Sequence, residues 1–138
     1  MTQRYPEPVV GAFILNRKGE MLFVRSYKWP GVITVPGGHI ELGEDANTAV
    51  VREAKEEVGI NLKPIKLLMM HEAIYPKGFY KKRHYIFLDI LCLARSSKVK
   101  IDGDEIQGYV WQKPRAALKL KLDGFTRATV LEYIRKGK

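Results

Sequence analysis

Residues 36–59 constrain the fold more than any other part of the chain. Pro36-Gly37-Gly38 halts regular structure and allows a tight backbone path, Asp45 carries the short polar side chain that caps a helix, and Gly59 suits the left-handed residue that ends one. The spacing between these marks predicts one helix over residues 45–58. Val50, Val51, Ala54 and Val58 form an apolar stripe along it. Glu53, Glu56 and Glu57 lie on an adjoining side, because residues three and four apart are neighbours on a helix surface. Ala49 and Ala46 continue that side towards the helix start and leave room for something to approach the carboxylates.

The runs around this helix are strand-like. Alternation and β-branched content predict strands over residues 7–16 and 20–26, joined as a hairpin by Asn16-Arg17-Lys18-Gly19, with a short run over 32–35. Two long strands, 64–75 and 84–95, flank a basic turn at 76–83, and a last short strand covers 108–112. Asp123 caps a C-terminal helix in which Phe125, Ala128, Leu131 and Ile134 recur every three residues as a buried face. Strands surrounding one mid-chain helix and a terminal helix predict an α/β fold with a mixed sheet covered on both faces. There is no internal repeat or linker, and 138 residues are the size of one domain, so residues 1–138 read as a single unit.

Composition narrows the function classes. At 46% hydrophobic and 28% charged, the chain lacks the signature of disorder. Its longest apolar run, residues 86–94, is interrupted by Asp89 and is far short of the roughly 20 residues a membrane-spanning helix needs. The apolar stretch 9–15 is preceded by Glu7, followed by Asn16-Arg17-Lys18 and has no small-residue cleavage site, so no secretory signal is expected. A lone cysteine, Cys92, cannot form an intrachain disulfide and reads as a buried thiol. These features favour a reducing, cytoplasmic location and no membrane partner.

Twenty-four Lys and Arg against 15 Asp and Glu give a net charge of +9, which suits a polyanionic partner. The charge is segregated. Between Glu41 and Glu57 six acids face two bases, a local balance of −4, which leaves +13 on the rest of the chain. A nucleic-acid-binding module gains nothing from such an island, whereas a divalent-metal site for a phosphate substrate needs carboxylates inside and cations around them. Nucleic acid therefore stays open as a partner but is not favoured over a small nucleotide.

Like charges three and four residues apart cost an isolated helix about 0.2–0.5 kcal/mol per pair. Arg52 stands four residues from Glu56 and neutralises one of them, so from the helix alone a solvated acidic face with a local ion pair is a better reading than a metal site. The preceding loop changes that balance. Gly38, five residues, Glu44, seven residues, then Arg52-Glu53-Ala54-Lys55-Glu56-Glu57-Val58-Gly59-Ile60 resembles the Nudix box of the Nudix (MutT-like) hydrolases. Every specified identity is present over 23 residues, and Ala54 is a small occupant of an apolar position.

The resemblance implies an α/β/α sandwich with the mid-chain helix as its catalytic helix. It also implies an enzyme that cleaves a phosphoanhydride bond of a nucleoside diphosphate linked to another moiety, such as ADP-ribose or a (d)NTP, with Mg²⁺ or Mn²⁺. By that similarity Glu53, Glu56 and Glu57 are the metal ligands, with the Gly38 or Gly37 carbonyl as a possible addition. Such an assignment suits magnesium, which takes oxygen ligands and leaves positions for water and phosphate. Glu53 is the first candidate for general base and Glu105, in a later loop, the second; Arg52 orients the carboxylates and Glu44 accepts bonds from nearby backbone amides. A homodimer is compatible with the resemblance, but no residue demands one. A catalytically idle nucleotide- or RNA-binding module of the same fold is the alternative, favoured by the basic surface and opposed by the intact acid set.

Other residues carry weaker signals. Lys77, Lys81 and Arg83, with Lys82, either contact substrate phosphates or form a solvated hairpin tip. Pro76, sixteen residues beyond Ile60, resembles the pattern of ADP-ribose pyrophosphatases, although a hairpin turn also places proline there. Tyr80, Trp29, Phe79 and Tyr85 are candidates for stacking on a base or for the core, and Trp111 for the core. His39, His71 and His84 are too scattered for a zinc site. The basic segment 113–138 reads as a solubilising surface or an RNA contact.

Overall fold

The computed structural model describes residues 3–136. Six strands and three helices follow one another as β1 (Glu7–Leu15), β2 (Met21–Ser26), β3 (Gly37–His39), α1 (Ala46–Val58), β4 (Leu62–Ile74), β5 (His84–Ala94), β6 (Ile106–Gln112), α2 (Pro114–Ala117) and α3 (Gly124–Arg135). They form a mixed sheet in the order β4-β5-β1-β2-β6, with β3 paired to β1 off this path. β1 runs parallel to β5 along its whole length, and among the described residues the other pairings between these strands are antiparallel. The last two residues of the basic segment 113–138 lie outside the described residues.

Side chains alternate across each strand, so the sheet has two buried faces. Val10, Ala12 and Ile14 of β1 meet Val50, Ala54 and Val58 of α1 on one face. Phe13, Met21 and Phe23 meet Val130 and Tyr133 of α3 on the other. The α1 boundaries follow their local signals: the Asp45 carboxylate accepts the Thr48 N–H at 2.8 Å, and Gly59 closes the helix at φ 70°. Cys92 is fully buried, and burial pushes its thiol up to about 12.

Four expectations are corrected. Residues 32–35 form no strand; Ile33 and Thr34 make only isolated bridges, to Leu122 and Val24. Gly37 and Gly38, read as breakers, are instead strand residues of β3, because a backbone without Cβ can lie against β1 where any side chain at Gly37 would stand 2.1 Å from the Val10 carbonyl. In α3 the buried residues are Thr126, Thr129, Val130 and Tyr133, and Leu131 is exposed. A strict three-residue spacing drifts about 60° per step around a 3.6-residue helix, so Phe125, Ala128, Leu131 and Ile134 cannot share one face. On α1, Val51 is exposed, while Ala49 and Ala46 pack in the core rather than opening space beside the acids.

Candidate active site

The site forms where α1 crosses β3. The carboxylate of Glu57 accepts the Gly37 N–H at 3.1 Å, and a Cβ on Gly38 would stand only 2.3 Å from the Glu53 carboxyl carbon. Two bare backbone residues thus receive two carboxylates spaced four apart, one helical turn, on the facing helix. Arg52 braces the arrangement. Its guanidinium forks onto Glu44 at 2.8 and 2.9 Å, donates to Glu53 at 2.9 Å and Glu56 at 3.4 Å, and reaches the His39 carbonyl at 2.9 Å. Glu44 also accepts the Glu41 N–H, and the Arg52 fork with that bond holds its carboxyl down to about 2. These carboxylates in turn raise the Arg52 pKa.

Glu105 reaches the same place by a different route. The loop before β6 is laced to the end of α1 by backbone bonds from Lys100 N–H to the Val58 carbonyl and from Asp102 N–H to the Glu57 carbonyl, both 2.9 Å. Glu105 then stands 3.2 Å from the Lys28 ammonium. Glu57 is only 4% exposed. Burial first, then the charge of Glu105 and a hydrogen bond and charge shared with Glu53, push its carboxyl up to about 10. Burial opposes the charge on Lys28, but Glu105 and Glu57 outweigh it and raise its pKa.

Lys28, Gly37, Gly38, Glu57 and Glu105 line a cleft with about 720 Å³ of empty space, counting the part open to solvent, whereas Arg52, Glu53 and Glu56 are not part of its wall. The same cleft is lined by aromatic rings. Trp29 meets Phe79 edge-on at 5.0 Å, and Phe87 meets Phe125 at 5.3 Å. Asp89, buried in the cleft lining, accepts the Thr129 hydroxyl at 2.6 Å, and Thr129 is itself 2.9 Å from His71. Burial raises the Asp89 carboxyl, against the hydrogen bonds from His71 and Thr129.

The five acidic and basic candidates Arg52, Glu53, Glu56, Glu57 and Glu105 are assembled around the junction of α1, β3 and the loop before β6, but they do not share one point. Around the helix Glu56 is about 100° from Glu57, with Glu53 between them, so Glu56 faces outward beside Arg52 with its side chain 59% exposed. The expected convergence of three carboxylates is therefore reduced to Glu53 and Glu57. Among the described residues no group of three or more His, Cys, Asp or Glu side chains is already arranged to hold a metal ion.

Lys77, Lys81, Arg83 and Tyr80 do not line the cleft, although Phe79 between them does. In the loop between β4 and β5, Phe79 points into the cleft and Tyr80 is exposed. Tyr85 and Trp29 line the cleft, and Trp111 is partly buried against the core on the α1 face. His39 bonds to Glu7 at 2.8 Å and His71 to Thr129, so the histidines share no site. Sequence reasoning missed Lys28 and the role of Asp89. Neither belongs to a local pattern: Asp89 was visible only as a charge interrupting an apolar run.

A family model for the NUDIX domain matches residues 5–133. The chain belongs to the Nudix hydrolase family. This Nudix chain is 35% identical over 111 residues to an m7GpppN-mRNA hydrolase of Danio rerio, a match covering 71% of the chain and 36% of that protein. It thus spans about a third of the length of that relative. An RNA pyrophosphohydrolase of Yersinia enterocolitica is 29% identical over 143 residues, covering 87% of the chain and 79% of the relative. Among solved structures, a MutT Nudix hydrolase from Burkholderia pseudomallei superposes with a TM-score of 0.79 at 26% identity, covering 94% of this chain and 98% of that one. Among the described residues no helix is long and apolar enough to cross a membrane.

Proposed function

We propose that this Nudix chain hydrolyses a phosphoanhydride bond of a nucleoside diphosphate linked to another moiety, with Mg²⁺ or Mn²⁺. The observation that carries this reading is the charge conflict at Glu57. A carboxylate nearly removed from water, beside Glu53 and Glu105, is held in an environment that a divalent cation would relieve. The donor set is all oxygen, which suits a hard cation. Glu53 and Glu57 would hold it with the Gly38 carbonyl, and Glu56, whose exposed contact with Arg52 is weak, would be available to join them.

When bound, the ion supplies neutralisation of the phosphate charge and lowers the pKa of the attacking water. The remaining work falls to the chain itself. Arg52 fixes the Glu53 rotamer and ties the loop carrying Glu44 to α1. Glu53 accepts the water proton, with Glu105 the second candidate, and Lys28, beside Glu105 in the cleft, draws in the polyphosphate. The rings in the cleft lining, Trp29, Phe79 and Phe87 among them, take the base or another flat group by stacking. The relatives named for capped mRNA and RNA ends, and the resemblance-based candidates ADP-ribose and (d)NTP, all place a pyrophosphate next to a nucleoside.

Phosphate release from ADP-ribose, dinucleoside polyphosphates, (d)NTPs and 5′-triphosphorylated RNA tests this directly, with and without Mg²⁺, for the native chain and Glu53→Gln. Metal-dependent turnover of at least one substrate, abolished in Glu53→Gln, is expected. Absence of metal-dependent turnover on every substrate would replace the hydrolase reading with that of a nucleotide-binding module.

A further inference from the structure

The cations of the basic turn, Lys77, Lys81, Lys82 and Arg83, stand outside the cleft lining, and they are interleaved with rings. The loop at residues 75–83 is closed by the Tyr75 N–H on the Arg83 carbonyl at 3.0 Å and pinned to the cleft wall by the Tyr80 N–H on the Lys28 carbonyl at 2.9 Å. Aromatic contacts run outward without a gap. Phe79, in the cleft, meets Tyr80 at 5.0 Å, and Tyr80 meets Tyr27 at 5.4 Å. Tyr27, Tyr75 and Tyr80 are 43%, 53% and 41% exposed, well above what a structural core contact requires. The Lys81 ammonium lies 5.1 Å from the Tyr80 ring and that of Lys82 4.8 Å from the Tyr75 ring. No acid occurs between Tyr75 and Tyr85, and among the described residues Lys77, Lys81, Lys82 and Arg83 make no ion pair.

Exposed rings alternating with unmatched cations are what a single nucleic-acid strand needs: π-faces for unpaired bases and positive charge along the backbone. Double-stranded nucleic acid keeps its bases stacked and would use only the charge. We propose that Tyr27, Tyr75 and Tyr80 with Lys77, Lys81, Lys82 and Arg83 form a binding track for a single-stranded oligonucleotide, leading away from the cleft. The track rests on the hydrolase reading only for its direction, with the phosphorylated end of the strand in the cleft. Affinity for the strand itself does not require turnover.

The test is fluorescence anisotropy of a ten-nucleotide 5′-monophosphorylated RNA, labelled at its 3′ end, in EDTA so that metal-dependent hydrolysis cannot occur. The strand should bind far more tightly than AMP competes for it, and its affinity should fall log-linearly with salt. Tyr80→Ala should weaken binding by roughly tenfold, the range for loss of one stacked base. Lys81→Ala/Lys82→Ala should lower the salt slope by about one unit for each phosphate left without its lysine. Melting curves establish that the variants are folded, and Tyr27→Ala/Lys82→Ala should lose strand affinity while retaining wild-type turnover of a mononucleotide substrate. Equal affinity for a duplex of the same length, wild-type affinity in the Tyr80 variant, or no preference over AMP would overturn the track. Strand binding without turnover of any substrate would uphold it and refute the hydrolase reading, whereas turnover of mononucleotides without strand binding would do the reverse.

Discussion

Glu57→Gln should make the protein more stable and less active. In the folded, metal-free chain the Glu57 carboxyl is pushed from its ordinary 4.5 up to about 10, so at pH 7 it must take up a proton on folding that the unfolded chain does not hold. That uptake costs about 1.4 kcal/mol for each pH unit above the unfolded value, or about 3 kcal/mol at pH 7. The direction follows from the raised value: the stability is fully present below pH 4.5 and drains away as pH climbs towards 10. Glutamine is neutral in both states, and its amide can still accept the Gly37 N–H and donate to Glu53. In EDTA at pH 7 the variant should therefore melt about 10 °C above the wild type, with the gap closing near pH 4. Thermal and urea unfolding between pH 4 and 9 measure this. A variant no more stable than wild type at pH 7, or a gap that persists unchanged into acid, would refute the charge conflict on which the metal site rests. Added Mg²⁺ should narrow the gap by stabilising the wild type more than the variant.

Gly37→Ala should cost about 1–3 kcal/mol or more in urea unfolding, because its Cβ would stand 2.1 Å from the Val10 carbonyl and β3 could not keep its distance from β1. Arg52→Lys should preserve the charge yet lower kcat, about 10- to 100-fold as for other groups that orient ligands. A point charge cannot fork onto Glu44 while also holding Glu53 and the His39 carbonyl. A Mg²⁺ titration of activity should show weaker apparent affinity in this variant, and unchanged kcat and Mg²⁺ dependence would remove Arg52 from its positioning role.

How much of this was legible depends on the range of the interaction. α1 was readable because its cap at Asp45, its left-handed stop at Gly59 and its 3.6-residue period are all local. The strand character of Gly37 and Gly38 was not, because a glycine pair reads as a breaker until β1 supplies a partner backbone at close range. The buried face of α3 was misread because a three-residue rhythm resembles the helical period over one turn and departs from it over three. Lys77, Lys81 and Arg83 were legible as a basic turn that either contacts phosphate or stays solvated, and only the fold leaves them outside the cleft lining.

Local spacing by itself determined that one helix would carry Arg52, Glu53, Glu56 and Glu57, and that a glycine pair would precede it. Spacing of this kind determines angles around a helix, and those angles already separate Glu56 from Glu57. Only the tertiary structure decided which carboxylate lost its water, which cation stood beside it and which rings faced inward. Lys28 and Glu105 lie 3.2 Å apart across a wide span of sequence, and Glu57 is strained only because β3 and the loop before β6 bury it. Desolvation and Coulomb repulsion act on distance through space and on surrounding matter, and neither is written in the order of residues along the chain.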